Sequence, residues 1–224
     1  MKKKILFVIP TLSSGGAERA LVSMLNLLDF NLFEVDLLLL EKNDMFYADE
    51  LSKSVNIVQN DIEYSITFDK LKDCFWLALQ NRKFLKLFRR LFMTLAIRWN
   101  LLRDNKNIDY WEMIKDNIEV YDKHYDFAIA YLEGNSIYFV ADKISANKKI
   151  GWIHTDYIKS KHEASVDYKY FNKMDYLYTV SNPMAETLKQ AFPDLSQKIQ
   201  VMYNVVDFDA IINKSQGKNP FDDK

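Results

Sequence analysis

One cysteine in 224 residues, Cys74, excludes an internal disulfide. It also lacks the partners and spacing of a zinc site, so the chain reads as one suited to a reducing cytoplasm. Histidine is nearly as scarce: His124 and His162 show no ligand spacing with any carboxylate cluster, and no metal is expected. Charge of one sign is lacking too. Thirty basic against 31 acidic side chains leave a net −1, which excludes a field that would gather nucleic acid. No apolar run is long enough to span a bilayer. Lys2, Lys3 and Lys4 ahead of Ile5 to Ile9 imitate a secretory leader, but Pro10 interrupts the run, no small-residue cleavage site follows, and Glu18 and Arg19 come straight after. Internal repeats, low-complexity stretches and a readable nucleophile–base–acid set are all missing.

What is present is a hydrophobic content of 49%, enough for a substantial core, and length and content together predict a single domain. Short apolar runs rich in β-branched and aromatic residues recur between helical patterns, the mark of a mostly parallel sheet built from strand-helix-strand units. The runs are Ile5 to Ile9, Val35 to Leu40, Asn56 to Val58, Phe127 to Tyr131, Lys149 to Ile153, Tyr176 to Val180 and Ile199 to Tyr203. Ala17 to Leu28 is apolar at Ala17, Leu21, Met24, Leu25 and Leu28, a spacing that packs one helical face on the sheet. Pro183 to Ala191 reads as a second helix, with Asn182 expected as N-cap and Pro193 just beyond its end. About 62–120 reads as a helical insertion, and the polar tail from Asn213 to Lys224 as a linker. The fold class expected is therefore α/β, a Rossmann-like domain over 1–212 with an inserted helical segment.

The first strand meets the first helix through Ser13-Ser14-Gly15-Gly16. Adjacent glycines let backbone approach a ligand, and free N–H groups at a helix start favour a phosphate or carboxylate; the same turn can equally be a tight connection that holds nothing. Glu41, ending the second strand, stands near where a dinucleotide enzyme keeps its ribose-binding acid. That class is disfavoured, because Ser13 and Arg19 occupy the positions where G-x-G-x-x-G needs glycines.

Gly15-Gly16-Ala17-Glu18-Arg19 after a first strand resembles the start of family 4 glycosyltransferases of the GT-B fold. Tyr131-Leu132-Glu133-Gly134, Gly151-Trp152-Ile153-His154-Thr155-Asp156, Thr179-Val180-Ser181-Asn182 and Tyr203-Asn204-Val205-Val206-Asp207 follow in that family's order and approximate spacing, especially that of members building bacterial surface polysaccharides. The resemblance covers nearly the whole chain. It implies a retaining transfer of sugar from a nucleotide diphosphate donor, without metal or other cofactor, in a cleft between two Rossmann-like domains. This chain would be the acceptor-side half, with 213–224 leading toward a donor-binding domain.

The resemblance places Gly15 and Gly16 on the cleft floor near the donor phosphates, and His154 beside the reacting sugar. His154 also falls just past a strand end, where open α/β sheets put ligand-contacting residues, and could ease charge development in the transition state; a lone histidine is otherwise structural. Glu133 is expected either to accept hydrogen bonds from acceptor hydroxyls or to serve the helix start beside Gly134. Asp156 either orients His154 or caps the following loop, and Asn204 shapes the interdomain crossing. Arg19 contacts the acceptor or simply belongs to the first helical turn, where Glu18 suits the helix dipole.

From Cys74 to Arg103 there is no acidic residue. On one helix, Phe84, Phe88, Leu91, Phe92, Leu95, Trp99 and Leu102 share a face, and Lys83, Lys86, Arg89 and Arg90 take the other. A basic amphipathic helix with Phe and Trp suits an anionic membrane surface; the competing expectation is a core-packed helix with a solvated basic face. The first reading makes the protein cytoplasmic and peripheral on the inner face of the plasma membrane, receiving a lipid-linked or saccharide acceptor. An alternative function is a non-catalytic subunit that binds the acceptor or the membrane and needs a separate catalytic partner.

Overall fold

The computed structural model of the protein describes residues 1–41, 45–58, 71–102, 109–160 and 163–216. Among them, seven strands form one sheet: β1 (Lys3–Ile9), β2 (Phe33–Leu39), β3 (Val55–Val58), β4 (Tyr121–Ala130), β5 (Ile144–Ile153), β6 (Tyr176–Thr179) and β7 (Ile199–Val201). Their order is β3-β2-β1-β4-β5-β6-β7, and every pairing is parallel. The sheet expected to be mostly parallel is wholly so among the described residues.

A parallel strand in mid-sheet is buried on both faces and must be apolar without alternation. β1 obeys this from Ile5 to Ile9, all buried. Leu6 and Val8 join one core with Ile137, Phe139, Tyr170, Phe171 and Leu188. Phe7 and Ile9 join the other with Leu21, Val22 and Leu25 of α1 (Gly16–Asn26). Between the later strands run α5 (Asn135–Lys143), α6 (Ala164–Phe171) and α7 (Asn182–Ala191). Gly151 on β5 matters for this layer, since a Cβ there would press Leu177 at 3.0 Å and Ile137 of α5 at 3.1 Å. The glycine lets α5 settle on the strand.

Several expectations need correction; β4, for one, begins at Tyr121, six residues before the expected Phe127. The cap of α7 is Ser181, and Asn182 is already helical; its side-chain amide instead donates to the Tyr203 hydroxyl at 3.3 Å. β5 begins at Ile144, five residues before the expected start, through polar Ser145, Asn147 and Lys148 at the solvated base of the sheet. Asn213, expected to open the linker, lies inside α8 (Phe208–Ser215), a helix capped by Asp207 accepting the Ala210 N–H at 2.9 Å and tied down by Lys214 to Glu50 at 2.6 Å. Residues 217–224 of the expected linker lie outside the described residues, as does His162.

In the insertion the described helices are α2 (Leu71–Gln80), α3 (Phe84–Leu102) and the short α4 (Tyr110–Ile114). A turn at Arg82, whose φ is 56°, separates α2 from α3, so Lys83, expected on the basic face, sits in that turn. The apolar stripe of α3 does not pack on the body. Phe84, Phe88, Leu91, Phe92, Leu95 and Trp99 are exposed, from 43% for Leu91 to 68% for Phe88, and α2 adds exposed Phe75, Trp76 and Leu79. The inward side carries buried Leu87 and Met93 together with Lys86, which donates to the Asn117 carbonyl at 3.2 Å. Arg90 is half-buried with its Nε covered, while Arg89 and Arg98 are exposed. The Phe and Trp face of α3 is thus not the face packed on the body, while Arg89 and Arg98 are solvated as that expectation had the basic side. No helix among the described residues is long and apolar enough to cross a membrane.

Candidate functional site

From β1 the chain winds outward through β2 to β3, and from β4 it winds the other way to β7, so the winding reverses between β1 and β4. At such a reversal the loops leaving the two central strands part company and open a crevice at their carboxyl ends, where open α/β sheets bind ligands. Val8 pairs with Ala130, and the Tyr131 N–H donates to the Val8 carbonyl at 2.8 Å. Ala130 in turn registers with Gly151. The Gly15-Gly16 turn, the Glu133-Gly134 turn and His154 therefore follow three neighbouring strands, β1, β4 and β5, at the same edge of the sheet.

The first turn of α1 has Gly15 as N-cap with no side-chain cap bond. Glu18 folds back over it: its carboxylate accepts from Ser13 Oγ at 3.1 Å and lies where a Gly15 side chain would stand. Glu18 thus serves the helix dipole. Gly16 faces open space, with nothing within 4 Å of a Cβ built there. Arg19, expected at the acceptor, turns to Glu50 and lies over Tyr47, 5.6 Å from the ring centre. It lines a cavity of about 300 Å³ with Asn26, Asp207 and Lys214, which none of Gly15, Gly16, Glu133 or His154 enters.

Gly134 takes a φ of 73°, which a side chain would strain, and lets the chain turn from β4 into α5. Glu133 is nearly buried, and its Oε2 accepts the backbone N–H of His154 at 2.9 Å. This is neither of the two expected roles: Glu133 ties the end of β4 to the end of β5. Asp156 caps the turn after His154, accepting the Lys159 N–H at 3.3 Å and pairing with the Lys159 amine at 3.0 Å, which holds its carboxyl below the usual range. Asn204 is exposed in the irregular stretch between β7 and α8.

His154 sits in an aromatic corner that the sequence reading passed over. Its ring centre is 4.8 Å from Tyr131 and 6.0 Å from Trp152, which are themselves 4.7 Å apart. Tyr131 Oη, Trp152 Nε1 and His154 Nε2 are all buried, and none has a hydrogen-bond partner among the described residues. Trp152 and His154 are two residues apart at a strand end, so period-two alternation placed them on one face, and that signal could have drawn Trp152 into the candidate set.

Burial lowers the His154 imidazole pKa to about 4, against the smaller opposing pull of the Glu133 carboxylate. The ring is therefore neutral near pH 7, able to donate through one nitrogen and accept through the other. A consequence is testable in the isolated chain. The unfolded imidazole takes up a proton near 6.5 and the folded one does not until about 4. The group's stabilising contribution is thus present above pH 6.5 and is lost as pH falls to about 4, some 3 kcal/mol in all. Urea unfolding of wild type and His154→Gln from pH 7 to 4 should show the variant losing less stability by about that amount; parallel curves would mean that the ring is accessible to protons in the native state.

No group of three or more metal-ligating side chains occurs among the described residues. No protein-family model matches the chain, and no curated protein sequence does. Among solved structures, crystal structures of Anabaena Alr3699/HepE are similar in fold. The complex with UDP and glucose aligns with a TM-score of 0.50 at 14% identity over 93% of this chain, and the complex with UDP-glucose aligns equally well over 92%. The chain spans 46% and 45% of those chains, less than half their length.

Proposed function

We propose that this chain is the acceptor-side half of a retaining, family 4 glycosyltransferase of the GT-B fold, acting on a nucleotide diphosphate sugar. The observation that supports the reading is that the Gly15-Gly16 turn, Glu133-Gly134 and His154 follow three neighbouring strands at the reversal of the sheet, with Glu133 accepting the His154 N–H. The fold is shared with a protein crystallised with UDP-glucose, which makes a nucleotide sugar the matching donor class. In the transfer the bond from the anomeric carbon to the β-phosphate oxygen breaks, the acceptor oxygen bonds to that carbon, and the acceptor's proton leaves with the nucleotide diphosphate. Gly15 and Gly16 bring backbone to the diphosphate, and neutral His154 offers a hydrogen bond to the sugar as charge develops on it. Glu133 fixes where that imidazole stands. Asp156 and Asn204 shape the acceptor side and the crossing to a second domain, and no metal is needed.

The membrane context follows from the insertion. The exposed Phe and Trp stripe of α3, with exposed Arg89 and Arg98 beside it, has the composition of an interfacial helix on an anionic bilayer. Docked there, on the inner face of the plasma membrane, the domain meets a lipid-linked saccharide acceptor in bacterial surface-polysaccharide synthesis.

The test is transfer of labelled sugar from a panel of nucleotide sugars to lipid-linked acceptors. The 224-residue chain by itself is expected to form no product, whereas the same chain joined to a second, donor-binding α/β domain is expected to turn over. Sustained product from the short chain would place the whole active site within it. No turnover of any nucleotide sugar by the two-domain protein would overturn the enzymatic reading.

A further inference from the structure

The loop carrying His154 is held at two points by carboxylates. At its start Glu133 takes the His154 N–H. Three residues on, Tyr157 donates its hydroxyl to Asp167 Oδ2 at 2.6 Å. Asp167 stands in the first turn of α6, is 1% exposed, and also receives the hydroxyl of Tyr138 from α5. The Tyr157 ring is 4% exposed and packs edge-on against Phe192 at 4.9 Å and Phe171 at 6.0 Å. Burial, and then the Asp167 carboxylate, raise the Tyr157 hydroxyl's pKa, so it remains a donor across the working pH range. A buried carboxylate is costly unless donors surround it, which makes this contact a strong constraint on where the loop can run.

We infer that Asp167 is a positioning residue for the site: by drawing Tyr157 into the layer of α5 and α6 it sets the path of Thr155 and Asp156, and so holds the His154 imidazole against the Tyr131 ring. The inference rests on His154 as the group that meets the sugar, but its structural half stands on the chain alone. Two substitutions separate positioning from mere satisfaction of a core carboxylate. Tyr157→Phe keeps the ring between Phe171 and Phe192 and removes one oxygen from the loop. Tyr138→Phe removes the other hydroxyl from the same carboxylate, on a helix that does not carry the loop.

The readout is the ¹³C-labelled histidine spectrum of the 224-residue chain, which has three histidines. Tyr157→Phe is expected to shift the His154 Cε1–H signal and weaken its nuclear Overhauser effects to the Tyr131 ring, while Tyr138→Phe leaves both unchanged. In the two-domain enzyme Tyr157→Phe should then lower kcat about tenfold at unchanged acceptor KM. If neither variant moves the His154 signals, or both move them alike, Asp167 only completes the core and the inference fails. Should Tyr157→Phe not fold, Asp167→Asn replaces it against the same Tyr138→Phe control. A moved ring with undiminished transfer would instead refute the role of His154 and leave the positioning intact.

Discussion

Replacing His154 with alanine in the two-domain enzyme proposed above is expected to lower kcat about 100-fold while acceptor KM changes by less than about threefold. The expectation comes from burial. In the proposed transfer the neutral imidazole, held in its aromatic corner, makes a contact with charge that appears only as the glycosidic bond stretches, and a contact made mainly in the transition state shows in kcat. His154→Phe refines the result: it keeps a ring beside Tyr131 and removes both nitrogens, so it should be as impaired as alanine. A phenylalanine variant with near-normal kcat would make His154 a packing residue. Because the ring's pKa lies near 4, no inflection from its ionisation is expected in the pH–rate profile between pH 6 and 8.

Binding to anionic vesicles is expected to fall about 100-fold when Phe88 and Phe92 are both changed to serine. Both rings are mostly exposed on α3, so the folded chain gives up little by losing them. Seated in a lipid interface, each would contribute roughly 1.5–3 kcal/mol. Arg89→Glu with Arg98→Glu should weaken binding by a comparable factor at low salt and by much less at high salt, since that part of the attraction is screened. These two arginines are the better electrostatic probes, because Lys86 is engaged with Asn117 and Arg90 is half-buried. Zwitterionic vesicles serve as the control. Partition of the phenylalanine variant equal to wild type on every vesicle would remove the membrane from the proposal; concentration-dependent dimers, abolished by Phe88→Ser, would assign the stripe to a second copy.

Much of the sheet was legible because burial on both faces writes itself into composition: all seven apolar runs became strands. What failed lies where composition is neutral. The polar first half of β5 looks like a loop, and nothing in Asn81-Arg82-Lys83 announces a positive φ in a non-glycine residue. Amphipathicity gave α3 two faces but not which one meets the body, since Lys86 can lay its stem along the inward side and hydrogen-bond at its tip. That Gly15, Gly16, Glu133 and His154 follow the ends of β1, β4 and β5 was readable from the apolar runs that precede them. Arg19 misled because its partner, Glu50, belongs to a turn 31 residues on. Asp167 was invisible for a similar reason: its link to the loop after β5 shows only once Tyr157 is seen reaching it.

The pairing of β1 with β4 also governs how the chain must be made. Ile5 lies beside Phe127, so the middle of the sheet cannot close until roughly 120 further residues have been synthesised, some 6 to 24 s at ordinary translation rates. During that interval β1 offers a bare apolar edge, and the ribosome meanwhile delivers the Phe and Trp stripe of α3 before anything exists to shield the edge. Until β4 arrives, that unpaired strand edge and the exposed stripe are the parts of the growing chain most open to off-pathway association.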